Sequence, residues 1–214
     1  MSDIIERLEW RYAVKKFDPS RKLSAEQVDR LKHAFNLTAT SYGLQPIRLL
    51  VLQDQDLQNQ LVAHSHNQKQ VAQASHLLVF CVENKVDGDY VKSYFDRVKE
   101  LRGTSDEILN PFRDYLIKEF GNKEKKEIRE WATRQAYLAM GNLLTICALE
   151  EIDACPMEGF VSDSYNELLG LREKGLNAVL VMPIGYRAGD DMFAAFKKVR
   201  RELSKSIIDL SNSQ

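Results

Sequence analysis

The sequence predicts one domain spanning residues 1–214, of α+β or mixed α/β class. Three observations predict it. Short apolar runs, "RLLVLQ" (48–53), "LLVFCVE" (77–83) and "NAVLVMPIGYR" (177–187), have the length and β-branched content of buried strands. Between them lie longer stretches with helical apolar spacing, the longest from Lys126 to Ile152. No linker-like stretch and no repeat period divides the chain, so three or four strands interleave with helices around one core.

In chain order, residues 3–15 read as a helix with Ile4, Ile5, Leu8 and Trp10 or Tyr12 on one stripe, which puts Arg11 and Lys15 on one face. Pro19 breaks that pattern. Ser24 and Gln27 then form a capping-box signature for a helix carrying Val28, Leu31, Ala34 and Phe35. "SYGLQP" (41–46) is a turn before the first strand, and a helix near 56–64 leads through "HSHNQKQVAQASH" to the second. Residues 87–120, charged and aromatic, read as helical. The stretch 126–152 reads as the central buried helix, with Ala139, Gly141 and Ala148 permitting close packing. "DACPMEGF" is a short strand and turn, "SYNELLGLREKGL" a helix ending at Gly175, and "NAVLVMPIGYR" a last buried strand.

Composition narrows the function classes. With 44% hydrophobic residues the chain can bury a substantial core, and 30 Lys and Arg against 31 Asp and Glu give a net charge of -1. A general attraction to nucleic acid or an anionic membrane is not indicated, so local clusters must carry any anion binding. Cys81, Cys147 and Cys155 lack the spacing of a redox or zinc motif and read as core thiols in a reducing compartment. With no signal pattern at the N-terminus and no membrane span, the expectation is a soluble cytoplasmic protein.

The G-x-G dinucleotide fingerprint and the G-K-[ST] phosphate loop are both missing. His64 and His66 stand two apart without a completing carboxylate pattern, so no metal is expected, and Ser75-His76 lacks a nucleophile elbow. Two basic clusters remain, "RYAVKKF" (11–17) and "FKKVRRELSK" (196–205). Each alone reads most simply as a solvated helix end whose cations complement the macrodipole. A phosphate monoester, with a charge of about -1.5 to -2, needs two or more cations. The paired clusters meet that need if the fold joins them.

"RYAVKKFDPSRKLSAEQ", "SYGLQPIRLLVL", "NQKQVAQASHLLVFC", "RQAYLAMGNLLTICALEEIDACPMEGF", "EKGLNAVLVMPIGYR" and "FAAFKKVRREL" resemble, in order and spacing, the FMN-dependent nitroreductase family, in its oxygen-insensitive NAD(P)H nitroreductase and flavin reductase branch. The resemblance implies a nitroreductase-like α+β fold with a central mixed, mostly antiparallel sheet flanked by helices. It also implies an intertwined homodimer with flavin at the interface, for which the helix 126–152 and the tail "SIIDLS" are candidates. It places Arg11, Lys198 and Arg200 at the FMN phosphate, and Lys15 near the ribityl chain and the pyrimidine edge, with Tyr12 and Ala13 between. Asn67 takes the pyrimidine, Gln70 stands where relatives often carry Lys, and Pro156, Met157, Glu158 and Gly159 form the turn beside flavin N5. Ser41, Tyr42 and Gly43 fall on the substrate side, where Gly43 and Ile47 replace the pattern's Asn and Trp. Tyr94, Phe95, Phe112, Tyr115 and Phe120 are candidates to cover the substrate pocket, and no side chain is assigned as catalytic.

The implied activity is an NAD(P)H-dependent FMN oxidoreductase that reduces nitroaromatics, quinones or similar small-molecule electron acceptors by two-electron, ping-pong hydride transfer. Its alternatives are a free-flavin or dihydropteridine reductase on the same scaffold, or a low-turnover flavin-binding redox sensor.

Overall fold

The computed structural model describes residues 4–210; Asp3, expected in the first helix, and Ser211, expected in the apolar tail, lie outside the described residues. Strands β1 (Ile47–Leu52), β2 (His76–Glu83), β3 (Asp153–Ala154) and β4 (Leu176–Gly185) form one sheet in the spatial order β1-β2-β4-β3. Every pairing between these strands is antiparallel. The parallel contact found among the described residues is an isolated bridge, Ala13 to Ala154, so the sheet is mostly antiparallel as the resemblance implies.

Nine helices surround it among the described residues: α1 (Ile4–Trp10), α2 (Ala25–Asn36), α3 (Gln55–Ala63), α4 (Gln70–Gln73), α5 (Gly88–Arg102), α6 (Asp106–Gly121), α7 (Lys125–Leu149), α8 (Ser162–Leu168) and α9 (Leu203–Ser206). Alternation along β2 divides the core. Leu78, Phe80 and Val82 pack with α2 and α7 residues on one face, while Leu77, Val79 and Cys81 pack with Val14, Phe17, Leu61 and Tyr165 on the other. Both faces are covered, which is why β2 and β4 read as continuous apolar runs. Each fully buried Leu or Phe contributes about 1.5–3 kcal/mol.

The capping box at Ser24 is present, the Gln27 amide donating to its hydroxyl and its own amide to the Gln27 side chain. The cysteines are free and buried. No helix among the described residues is long and apolar enough to cross a membrane.

Four helix expectations change. The first helix stops at Trp10, because Val14 and Phe17 are buried and the backbone from 14 to 18 is spent on the sheet margin. Val14 N donates to Ala154 O (3.3 Å), Asp18 N to Tyr186 O (2.8 Å), and Lys16 O accepts from Ala188 N (2.9 Å). Arg11 and Lys15 therefore do not share a helical face. Helix α7 buries its apolar side, with Ala132, Ala136, Ala139, Leu143 and Ala148 covered, but the close packing expected at Gly141 is missing: nothing lies within 4 Å of an added Cβ there, and Tyr137 and Leu138 are 46% and 54% exposed. Helix α8 ends at Leu168, since Gly170 turns the chain at φ +59 and buries Leu171 against the second core face. Of the segment 196–205, the part that is helical begins at Leu203, and the basic residues before it lie on irregular chain.

Candidate functional site

The two basic clusters meet. A cavity of about 380 Å³ is lined from one side by Arg11, Tyr12, Ala13 and Lys15 and from the other by Lys197, Lys198 and Arg200. Glu9 is the carboxylate residue among its lining. The Lys198 ammonium donates to the carbonyl oxygen of Arg11. Burial, and then the charge of Arg200, pulls the Arg11 guanidinium below its ordinary range. Burial, followed by Arg11 and Arg200, likewise lowers Lys198. Like charges held together at some electrostatic cost, with N–H donors on both sides, form a donor set suited to a dianionic phosphate.

Asp191, buried to 5% exposure, stands behind this cavity. Its Oδ2 accepts from the Tyr12 hydroxyl (2.9 Å) and from the backbone amides of Lys15 (3.0 Å) and Lys16 (3.3 Å); its Oδ1 accepts from Phe193 N (3.2 Å). Burial alone would raise its pKa, but these hydrogen bonds together leave it below the ordinary carboxylate range. Burial, then the bond to Asp191, pushes the Tyr12 phenol up. The Tyr12 ring and the Trp10 ring lie 4.6 and 4.2 Å from the Arg187 guanidinium, which pairs with buried Asp153.

From Lys15 the site continues toward the "PMEG" turn. Lys15 Nζ is 3.8 Å from Cys155 Sγ, and Gln70 Nε2 is 3.9 Å from Met157 Sδ and 2.9 Å from Gln68 Oε1. Gln68 Nε2 in turn donates to Gly159 O (3.1 Å). Reciprocal bonds between Met157 and Val181 (2.9 and 3.1 Å) fix the turn to β4. Pro156 leads into it, and Tyr137 of α7 donates to Glu158 (2.6 Å). Asn67 and His66 both adopt left-handed backbone, φ 58 and 51, and a Cβ on Gly159 would come within 3.3 Å of His66 and 2.9 Å of Gln68. Such strain is stored where surrounding contacts over-determine it. Arg11, Tyr12, Ala13, Lys15, Lys198 and Arg200 thus line one cavity; Lys15 contacts Cys155 ahead of Pro156, Met157, Glu158 and Gly159, Gln70 touches Met157, and Asn67 follows His66, whose ring lies against Gly159.

Ser41, Tyr42 and Gly43 lie elsewhere in the single chain. Ser41 N donates to Gln135 Oε1 (2.8 Å), and Tyr42, at φ 60, packs its ring 6.1 Å from Phe120 and 6.4 Å from Phe112 and Trp131. Of the expected covering aromatics, Phe95 and Phe120 are core, while Phe112 and Tyr115 are exposed and stacked at 6.3 Å. Asp191, Arg187, Tyr137 and Cys155 are the residues that sequence reasoning misses. Of these, Cys155 carried a signal, standing directly before "PMEG".

Against known proteins, the model described as "Nitroreductase family" matches residues 8–186. An oxygen-insensitive NAD(P)H nitroreductase of Salmonella typhimurium is 27% identical over 97% of this chain and 100% of its own. A candidate NAD(P)H nitroreductase of Staphylococcus epidermidis is 32% identical over 86% of this chain and 88% of its own. Among solved structures, a candidate nitroreductase in complex with FMN from Exiguobacterium sibiricum has a TM-score of 0.84 at 19% identity, covering 97% of each chain.

Proposed function

Since the chain belongs to the nitroreductase family, we propose that residues 1–214 act as one FMN-binding domain of a cytoplasmic NAD(P)H-dependent oxidoreductase that reduces nitroaromatics, quinones or related electrophiles. The observation that carries this reading is the convergence of Arg11, Lys15, Lys198 and Arg200 on one cavity, from which Lys15 reaches Cys155, the residue directly before the Pro156–Gly159 turn. The names of the Salmonella and Staphylococcus relatives and the FMN held by the Exiguobacterium protein support it.

In this reading Arg11, Lys198 and Arg200 hold the phosphate of FMN, and bound FMN supplies a two-electron carrier between a nicotinamide donor and an acceptor. Lys15 sets a cation between the phosphate end and the turn. Gln70 and Asn67 offer amide groups to the pyrimidine edge, where Gln70 replaces a cation with a neutral donor. Glu158 and Gly159, on a turn tied to β4, present backbone to the reacting edge; the absent side chain at Gly159 permits close approach. The exposed face of α7 and the exposed Ile207 and Ile208 suit a second copy of the chain, which would bring Ser41, Tyr42 and Gly43 to the substrate side.

An anaerobic visible spectrum tests the reading. Purified protein supplied with FMN should hold a yellow chromophore that bleaches with NADH or NADPH. Protein that stays colourless with added FMN refutes it.

A further inference from the structure

We propose that Asp191 is a positioning residue for the phosphate site: its buried carboxylate clamps the two basic segments into one cradle, and this clamp sets the preference for a phosphorylated flavin over an unphosphorylated one. The inference rests on the FMN reading above only for the identity of the phosphate.

Asp191 does not line the cavity, yet three residues that it holds, Tyr12, Lys15 and Phe193, do. Tyr12 and Lys15 come from the start of the chain and Phe193 from the end. The carboxylate is a buried point at which the two are tied. The tie is reinforced beside it, where Ala188 N donates to Lys16 O (2.9 Å) and Asp191 N to Ala188 O (3.1 Å). Tyr12 is held from two directions, its hydroxyl by Asp191 and its ring by Arg187, whose Nε and backbone N both donate to Asp153 (2.8 and 2.7 Å). Arg11, immediately before Tyr12, takes its backbone direction from that arrangement, and its carbonyl receives the Lys198 ammonium.

Two physical effects of Asp191 oppose each other. A buried anion next to a phosphate site repels the phosphate, so neutralising it would tighten binding if charge alone acted. A carboxylate that accepts four hydrogen bonds has its charge largely answered by those donors, and their loss would free the backbone that carries Arg11 and Lys15. The four bonds decide for the second effect. The sign of the change on substitution therefore discriminates between them.

The experiment measures Kd for FMN and for riboflavin, which lacks the phosphate, by flavin fluorescence quenching on the full-length apoprotein. Asp191→Asn keeps the size but turns one acceptor oxygen into an N–H donor that faces other donors. FMN affinity should fall about tenfold to a hundredfold, and riboflavin affinity should change less than about threefold. Tyr12→Phe, which removes one donor and leaves the carboxylate, should give a smaller loss in the same direction, and it carries the test if Asp191→Asn fails to fold. Tighter FMN binding, or equal shifts for both flavins, overturns the proposal, since equal shifts mean a general structural role. If the wild type itself takes up no FMN, the cofactor reading falls separately. The same pair of proteins titrated with inorganic pyrophosphate then decides: weaker binding to Asp191→Asn sustains the clamp, and equal or absent binding in both removes it.

Discussion

Replacing Arg200 with Gln should move cofactor affinity and stability in opposite directions. Arg200 lines the cavity, is exposed, and lowers the pKa of both Arg11 and Lys198, so in the free protein it is a like charge held near two others. A charge-assisted hydrogen bond to phosphate contributes about 1.5–3 kcal/mol, and each 1.4 kcal/mol is about tenfold in Kd. Exposure of Arg200 favours the lower end, so FMN Kd should rise about tenfold in about 0.1 M salt, with the effect shrinking as salt is raised. Relief of repulsion at a solvent-screened site is worth about 0.5 kcal/mol at most, which for a chain of this size lifts the melting temperature of the apoprotein by about 1–2 °C. The assays are a fluorescence titration with FMN and a thermal melt of apoprotein, each on wild type and Arg200→Gln. A Kd unchanged within twofold would refute a phosphate contact. An apoprotein melting more than about 3 °C lower would show that Arg200 supports the fold instead of opposing it.

Gly43→Ala should lower the urea midpoint by an amount equivalent to roughly 1–3 kcal/mol, because φ is +73 and the new Cβ would lie 2.4 Å from Tyr94 Oη. Tyr94→Phe in the same chain should recover much of the steric part, with ring carbon Cζ still 3.0 Å from the new Cβ, and leave the backbone part. His76 is buried with Nδ1 3.0 Å from Ser75 Oγ, which accepts from Leu23 N (2.8 Å), and burial followed by Lys22 and Lys32 lowers the imidazole pKa. The unfolded chain then binds the proton first, so stability should fall as pH drops from about 6.5 toward the lower folded value, and His76→Gln should flatten that slope in chemical denaturation series. None of the three thiols should react with a disulfide reagent in the native protein, since Cys81 and Cys147 are buried with pKa pushed up to about 12 and burial also raises Cys155. All three should react in denaturant, and rapid native labelling would contradict the burial.

The strands were legible because burial on both faces of β2 and β4 removes alternation and leaves continuous apolar runs, a pattern that survives without tertiary knowledge. The helix over 3–15 was not, since Val14 and Phe17 continue a helix-compatible spacing while their burial is dictated by the sheet margin, and local propensity yields to it. At the site, the basic clusters announced themselves by side-chain charge, and only their meeting required the fold. Asp191 was invisible for the converse reason. Three of its four partners are backbone amides, which carry no residue identity, so one Asp among 31 acidic residues gives no sequence signal.

The departure at Gly43 acquires a physical account from the same logic. The family pattern that the sequence resembles has Asn there, and a side chain lost from a substrate-side turn would suggest a lost polar contact. Yet the Tyr94 hydroxyl occupies the volume that a Cβ at 43 would need, and Tyr94 comes from α5, braced edge-to-face on Phe95 at 5.3 Å. The space beside Gly43 is thus filled by a hydroxyl carried on a helix, next to a turn whose Tyr42, Gly43 and Gln45 all hold positive φ. An Asn at 43 would force the Tyr94 ring to shift and would put a side chain on backbone at φ +73, so Gly43→Asn should cost at least as much stability as Gly43→Ala.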